Sequence, residues 1–472
     1  MYYTVDRIEG PVASVDADKR IPFGWNAVCV QAEPFEATRL IWAASQACSL
    51  PVDTLHFRIT VALDVRDEKQ VEVRSLQSSI LLGLIDIRYA PVFQIFEVEL
   101  SGLQADLAWR EGISLQLVKG SAPLWLFAPG HAGQALEPVL LPHLFMRKSE
   151  ETKLAAFEKR LHSLASLQQF GWMEGCVLDG LMDYGFQAAA EEHLQLFMNE
   201  EGQLIYEDPR SRPVDGQFYG IESLLPVAIL AKIHPKHPVL EQAAQFMASK
   251  READGAIRDG GELSAEGNYT IAYTLACLSN LSDSKTLADE AIKQLEVRKQ
   301  RLWVEDELYL RYHTDHAHTF RHWGRAHVWY LLGMIRTIQE LRQGNRLSDE
   351  LSDYWQEEFN RAWRVAWSYR NEAGLWYSFI DDPASQVDSS ASAGIAAAGA
   401  IAIRIGYLSA SYHDELQVTL HALHTFITPD GLISGTSQAN KGGERLQREG
   451  YRVISQVTMG LMAQLICALH KR

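Results

Sequence analysis

The chain is poor in several things, and each shortage excludes a class of protein. Its five cysteines (Cys29, Cys48, Cys176, Cys277 and Cys467) are scattered, odd in number and without CxxC spacing. They predict reduced, mostly buried thiols and a cytoplasmic protein rather than a disulfide framework or a cysteine-ligated metal. No apolar run approaches the roughly 20 residues that span a bilayer. The start, MYYTVDRIEG, has neither a basic n-region nor an apolar h-region, so no signal peptide is expected. Positive charge is short as well: the formal net charge is -16. Such a chain repels phosphate backbones and anionic lipid, so neither nucleic acid nor a membrane is expected as a partner. A few local arginines can still hold a small anion. G-x-S-x-G, the P-loop, and G-x-G-x-x-G after a strand are missing too, which disfavours acyl hydrolases, nucleotidases and dinucleotide enzymes.

What remains is ordinary globular material, 472 residues with 47% hydrophobic and 22% charged content, enough to bury a large core. The period of the apolar residues divides it. Leu55, Phe57, Ile59, Val61, Leu63 and Val65 alternate with His56, Arg58, Thr60, Ala62 and Asp64, and Phe96, Val98, Leu100 and then Leu115, Leu117 do likewise. Period two means strands with one buried and one wetter face. Pro91, Gly102, Gly112, Pro129 and Gly130 separate them. Residues 1–145 therefore predict an antiparallel β-sandwich without intervening helices.

From about residue 150 the period lengthens: Leu154, Phe157, Leu161 and Leu164 mark an amphipathic helix. About twelve helices follow, starting near residues 153, 172, 186, 217, 238, 267, 284, 323, 347, 391, 410 and 452. Helices apolar all round, such as GIAAAGAIAIRIG and VISQVTMGLMAQLICAL, alternate with one-striped ones such as LSDELSDYWQEEFNRAWRVAW. Buried helices alternating with surface helices make two concentric rings, so residues 150–472 predict an (α/α)6 toroid, and the whole chain an α+β multidomain protein.

Several inner helices are preceded by similar short strings: Met173-Glu174-Gly175, Val214-Asp215-Gly216, Ala265-Glu266-Gly267 and His322-Trp323-Gly324. In a toroid these open on one end of a funnel, where helix N-termini favour anions. The bland alternative for each acid is a helix cap. Sugar-bond chemistry needs two carboxyl groups across a substrate, and Asp215 and Glu266 are the best candidates, with Glu174 and Asp179 as weaker ones. Asp254, Asp259 and Glu262 read as a solvated loop.

The densest stretch is HTDHAHTFRHWGRAHVWY, His313 to Tyr330. Its histidines fit no metal-ligand spacing, so neither a metal nor a cofactor is expected. Arg, Trp and His together suit a sugar acid: guanidinium forks onto carboxylate, indole stacks on a sugar face, imidazole bonds hydroxyls. His313, Arg321, Trp323, Arg325 and His327 are the candidate pocket residues, with Trp376 as a further aromatic face; Trp172 reads equally well as core.

Three segments over the C-terminal 320 or so residues resemble glycoside hydrolase families 88 and 105, the unsaturated uronyl and rhamnogalacturonyl hydrolases. LYLRYHTDHAHTFRHWGRAHVWYLLGM is similar to that group's YH followed by W-[GA]-R-G-N-G-W. GLWYSFIDDPASQVDSSASAGIAAAGAIAIRIGYL resembles its GLW segment, and AEGNYTIAYTLA its W-x-D-G-L-Y-M. The resemblance implies an (α/α)6 barrel and a carboxyl group that protonates the C4=C5 bond of an unsaturated uronide. It puts Glu266 at that position, Asp215 at the assisting one, and His313, Trp323 and Arg325 in the pocket. Glu266 stands where the families have aspartate, moving the carboxyl by about 1.5 Å, and Ala326-His327-Val328 replaces G-N-G.

The expected function is therefore a glycoside hydrolase acting on a uronic-acid-terminated saccharide, by hydration of an unsaturated uronide or by direct hydrolysis of an ordinary one. A sugar isomerase or epimerase using His313 and His327, and an inactive sugar-binding barrel, are the alternatives. The expected partner is an anionic oligosaccharide, with a homodimer possible. The N-terminal part reads as a scaffold.

Overall fold

A computed structural model describes residues 2–42, 54–130, 136–146, 152–258 and 260–470; Cys48 and Asp259 lie outside them. The described N-terminal residues form two larger antiparallel sheets and a two-stranded one, Ala27–Val30 with Leu124–Phe127. One orders the strands Tyr2–Thr4, His143–Phe145, Thr54–Thr60 and Ile95–Ser101. The other orders Arg7–Glu9, Thr38–Ile41, Ile113–Lys119, Glu68–Ser75 and Leu81–Arg88. Leu55, Phe57, Ile59, Val98 and Leu100 of the first share an apolar cluster with Leu40, Val71, Val73, Ile87 and Leu115 of the second.

Two expectations change here. A helix, α1 (Leu103–Glu111), interrupts the strands, bracketed by Gly102 and Gly112 at φ 50 and 86. The face of Thr54–Thr60 expected to be wetter is not wet. Arg58 and Thr60 are buried, because that face lies against the helical part. The Arg58 guanidinium reaches Glu97 at 2.6 Å and Asp430 at 2.5 Å, and Tyr2 Oη donates to the same Asp430 carboxylate.

The helices are α2 (Lys153–Leu161), α3 (Trp172–Tyr184), α4 (Gln187–Leu196), α5 (Leu225–Ile233), α6 (Val239–Ser249), α7 (Tyr273–Leu281), α8 (Lys285–Leu302), α9 (Gly324–Gln343), α10 (Asp349–Ser368), α11 (Ser389–Arg404), α12 (His413–Leu423), α13 (Gly443–Arg448) and α14 (Gln456–His470). Side-chain oxygens of Thr152, Ser284, Ser348 and Asp388 cap α2, α8, α10 and α11. A π-turn, Asn268–Ala272, leads into α7. Packing runs α3–α5–α7–α9–α11–α14 and back to α3, a closed inner ring. Helices α2, α4, α6, α8, α10 and α12 alternate with these in the chain. On α10 only Trp355, Glu358, Phe359, Ala362, Trp363 and Ala366 are buried, the single stripe of a helix facing water on its other side.

The expected helix starts hold within a few residues except one: the start near 217 is displaced to a 3-10 turn at Ile221–Leu224 and to α5. Pro226 in the first turn of α5 fixes that start, since a proline is tolerated there and not further in. The short α13 and the hairpins Glu307–His313/His318–Arg321 and Tyr377–Phe379/Asp382–Val387 add to the expected helices.

The ring closes where α14 meets α3, and it closes on glycine. A Cβ on Gly460 would lie 2.2 Å from Cys176 O, and one on Gly180 would lie 2.6 Å from Gly460 O. Along the ring interior, Asp179 accepts from Tyr269 Oη at 2.5 Å and Tyr273 Oη at 2.9 Å, with Arg336 Nε at 3.3 Å. Arg336 also bonds Gln464 and Asp183. Four inner segments thus share one satisfied polar network. Backbone cannot yield at the α3–α14 contact, so G460A is expected to cost about 1–3 kcal/mol, read as a lowered urea midpoint at unchanged m-value.

Candidate active site

At the end of the ring where the inner helices begin lies a cavity of about 320 Å³. Its lining comes from five stretches of the barrel and one of the sheets. Gln169 and Phe170 precede α3; Trp172 and Met173 open it. Tyr219 and Glu222 precede α5, Arg311 comes from the strand Glu307–His313, and Ala439, Asn440 and Lys441 precede α13. Pro209 and, from the N-terminal part, Arg66 complete it. A narrower recess shares Trp172, Met173 and Ala439 and reaches Arg325.

Gly171 lets the chain turn into α3 here. Its φ is 131, and a side chain would meet Tyr219 Oη at 2.9 Å and Glu222 O at 3.2 Å. Tyr219 Oη donates to Glu222 Oε2 at 3.3 Å. Burial, and then the Glu222 carboxylate, push the Tyr219 phenol well above its ordinary value, so it remains a donor.

Glu266 follows the short strand Glu262–Ser264, whose register pairs Ser264 with Arg311. It is buried, and burial raises its carboxyl above the ordinary glutamate value; Arg311, Arg325 and Ser264 oppose the rise and Glu262 adds to it. Its backbone is held by a buried arginine: Arg298 Nε donates to Ser264 O at 2.9 Å and Nη2 to Ile257 O at 3.0 Å. The guanidinium lies so close to Gly267 that a Cβ there would be 2.0 Å from Nη2.

Arg325 opens α9. Its guanidinium lies 4.5 Å from the Trp323 ring centroid and donates through Nη2 to Gln438 O. Burial pushes its pKa down, with Asp388 and Glu266 opposing. Burial pushes the Asp388 carboxyl up, yet Arg325, Arg452 and Ser437 hold it below its ordinary value. Arg325 Nε–H is buried without a hydrogen-bond partner. A buried, unanswered donor on a cation is costly unless a ligand accepts from it.

Of the residues the sequence singled out, Glu266 and Arg325 come together, with Trp323 as the plate beneath Arg325. Trp323 is itself buried and donates Nε1 to Gln447 Oε1 at 3.2 Å. The others are engaged elsewhere. Asp215 lies about half exposed in the loop before α5, gripped by Arg20 at 2.7 and 2.8 Å, which holds its pKa down. Glu174 is inside α3, bonded to Gln168 N and His193 Nδ1. His313 is paired with Glu262 at 3.3 Å and Thr319 Oγ1 at 3.0 Å. Arg321 is a surface residue bound to Glu307 and Asp381. Trp376 is fully buried and donates to Ala366 O.

His327 is fully buried, its Nε2 3.3 Å from His322 Nδ1. The aromatic wall is Phe170, Trp172 and Tyr219 instead. Glu222 was readable from Pro226, which dates the start of α5 and so identifies Gly220-Ile221-Glu222 as its lead-in. Arg66 and Lys441 carry no local signal.

Burial pushes His322 and His327 below the ordinary histidine value, and His143, buried against Arg58, down to about 3. Below about pH 6.5 the unfolded chain binds protons that these neutral imidazoles refuse. Stability is therefore expected to fall with falling pH, by ~1.4 kcal/mol per unit for each such histidine. H327F should flatten that slope, measured by urea unfolding at three pH values from 7.5 to 5.

Among the described residues no three His, Cys, Asp or Glu side chains converge as a metal site, and no helix is long and apolar enough to cross a membrane. Residues 145–471 match the profile of Glycosyl Hydrolase Family 88. The chain is 28% identical over 143 residues to the unsaturated rhamnogalacturonyl hydrolase YesR of Bacillus subtilis (strain 168), a stretch covering 30% of this chain and 39% of that protein. In fold it is similar to a possible GH105 member from Salmonella enterica serovar Paratyphi A (TM-score 0.58, 17% identity, 70% of this chain and 97% of that one). It is also similar to a family 105 glycoside hydrolase from C. acetobutylicum (0.55, 17%, 67% and 100%). A third is an unsaturated glucuronyl hydrolase specific for heparin (0.51, 12%, 67% and 96%). These relatives are (α/α)6 barrel enzymes. With the family profile covering the whole helical ring, the chain belongs to glycosyl hydrolase family 88.

Proposed function

We propose that this protein hydrolyses a saccharide ending in an unsaturated uronic acid, by hydration of the C4=C5 bond. The observation that carries the reading is a pair beside the cavity: a buried glutamic acid with a raised pKa, Glu266, which feels Arg311 of the cavity wall, and Arg325 of the adjoining recess, a buried arginine whose Nε–H has no acceptor among the described residues. A uronate carboxylate would answer that donor, with Arg311 as a second cation facing Glu266. The rise in pKa favours the protonated acid that the first step needs.

Glu266 gives its proton to C4, the π pair of C4=C5 forming the new C–H bond. The cation at C5 is shared with the ring oxygen. Water adds to C5 and returns its proton to the Glu266 carboxylate. The resulting hemiketal opens, and the hemiacetal left at C1 releases the remaining saccharide. Glu222, oriented by Tyr219 Oη, is a carboxylate on the cavity wall and takes the assisting place that the sequence had suggested for Asp215. Phe170 and Trp172 supply faces for the sugar. On this reading the N-terminal part, residues 1–145, is a β-sandwich domain, and residues 150–472 are the catalytic barrel.

The test is turnover on two panels: unsaturated uronyl disaccharides, followed by loss of the ultraviolet absorbance of C4=C5, and nitrophenyl glycosides of saturated uronic acids. Loss of absorbance alone supports hydration. Nitrophenol release alone, or two flat panels, overturns it. E266Q is expected to lower kcat by about 10²–10⁴-fold with little change in KM. E222Q should cost less, and the alkaline limb of kcat/KM in the wild type should disappear in E266Q.

A further inference from the structure

The cavity is not the barrel's alone. Arg66 belongs to the N-terminal part, outside the matched family region that begins at residue 145. Next to it, Asp64 organises a small charged group. Its carboxylate, 1% exposed, meets Arg66 Nε at 2.5 Å and Lys441 Nζ at 2.6 Å. Both cations also donate to Pro209 O. Asp64 N in turn donates to Ser211 Oγ at 2.9 Å. One carboxylate thus answers two cations, both on the cavity wall, and solvent can reach Arg66, whose side chain is 40% exposed. Burial pushes the Lys441 ammonium below its ordinary value, with Asp64 opposing, Arg66 adding to the fall and Glu222 across the cavity opposing it weakly. A cation held partly desolvated beside another cation gains from a nearby anion.

The same surface of the sheets holds both loops that shape the cavity. Arg20 grips Glu207 and Asp215 in one. Gln94 bonds Gln438 at 2.9 Å, and Glu68 and Arg88 pair with Arg445 and Glu449 in the other. These contacts fix the wall rigidly, as a recognition surface requires.

We propose that Arg66, with Lys441 beside it, recognises a second anionic group on the substrate, a carboxylate or a sulfate ester on the sugar following the terminal uronide. This rests on the uronide reading above: with the terminal uronide held by Arg325 in the adjoining recess, the second sugar lies in the cavity that Arg66 lines. The N-terminal part is thereby a specificity element of the active site as well as a support. Glu222 puts a carboxylate on the barrel side of the cavity, so the wall from the N-terminal part is where a second negative charge is answered.

The experiment compares wild type with R66Q and R66K on three unsaturated disaccharides, whose second sugar is neutral, carboxylated or sulfated. Each protein is also titrated, by tryptophan fluorescence, with the corresponding saturated disaccharides, which the hydration step cannot consume. R66Q is expected to raise KM for a charged second sugar at least tenfold more than for the neutral one, with kcat nearly constant. R66K should restore most of the loss. The larger penalty of the two charged substrates names the substituent. Equal effects on all three sugars, or none, overturn the proposal. If no unsaturated uronide is turned over, the hydrolase reading falls, and the titrations still decide this one: equal affinities of wild type and R66Q for charged and neutral sugars sink it.

Discussion

Everything in this molecule depends on two helix backbones being allowed to touch. A ring of inner helices has no free end, so an error in any one spacing accumulates at the last contact to form. That contact is α14 on α3, and Gly180 and Gly460 bring carbonyl and Cα within a distance no side chain would permit. The same device recurs at Gly333, which abuts the Asn268–Tyr269 peptide, and at Gly394, which abuts Val328. Close packing of this kind leaves the ring interior no room for water-filled slack. The polar groups inside it are therefore paired with each other, as Asp179 is with two tyrosines and Arg336. A rigid ring in turn gives the helix N-termini fixed positions from which side chains can be aimed.

The chemistry at those N-termini rests on imbalance. Elsewhere buried charges meet partners of opposite sign: Glu174 meets His193 and a backbone amide, and Arg58 meets Glu97 and Asp430, although its Nη2 has no acceptor among the described residues. Beside the cavity the imbalance falls on Glu266 and Arg325. Glu266 is buried more thoroughly than its neighbouring arginines compensate, so its pKa lies above the ordinary glutamate value. Arg325 keeps a donor that no described residue accepts. Unsatisfied groups cost folding free energy, and a protein retains them where a ligand completes the set.

How much of this the sequence disclosed follows from the range of each signal. Period-two and period-3.6 patterns are local, and they placed the strand from Leu55, the striped α10 and the all-apolar α11 and α14 correctly. The acid before Gly267 was legible because strand, turn and helix follow each other there without interruption. Asp215 reads as opening a helix and lies in a loop instead, because an acid-glycine pair looks the same in both, and only Pro226, eleven residues later, separates the two. The placement of His327 and Trp376 was not legible, because residue type does not reveal direction: both lie in recognisable motifs and both are fully buried. Arg66 and Lys441 were invisible because their meeting, across 377 residues from Asp64, is a product of the whole fold.

That separation has a kinetic consequence. The groups that make the cavity are drawn from residue 66, from the region around 170 and 220, from 311, and from 441, and the ring seam joins residue 180 to residue 460. Contacts so distant along the chain have a high loop-closure cost and form late. Hairpins and helix pairs can assemble while the sequence is still emerging from the ribosome, but the binding cavity cannot. It is among the last features to exist in a folding molecule, so a chain caught halfway has an incomplete pocket and an exposed, unclosed ring. Such intermediates are the species most prone to associate with one another.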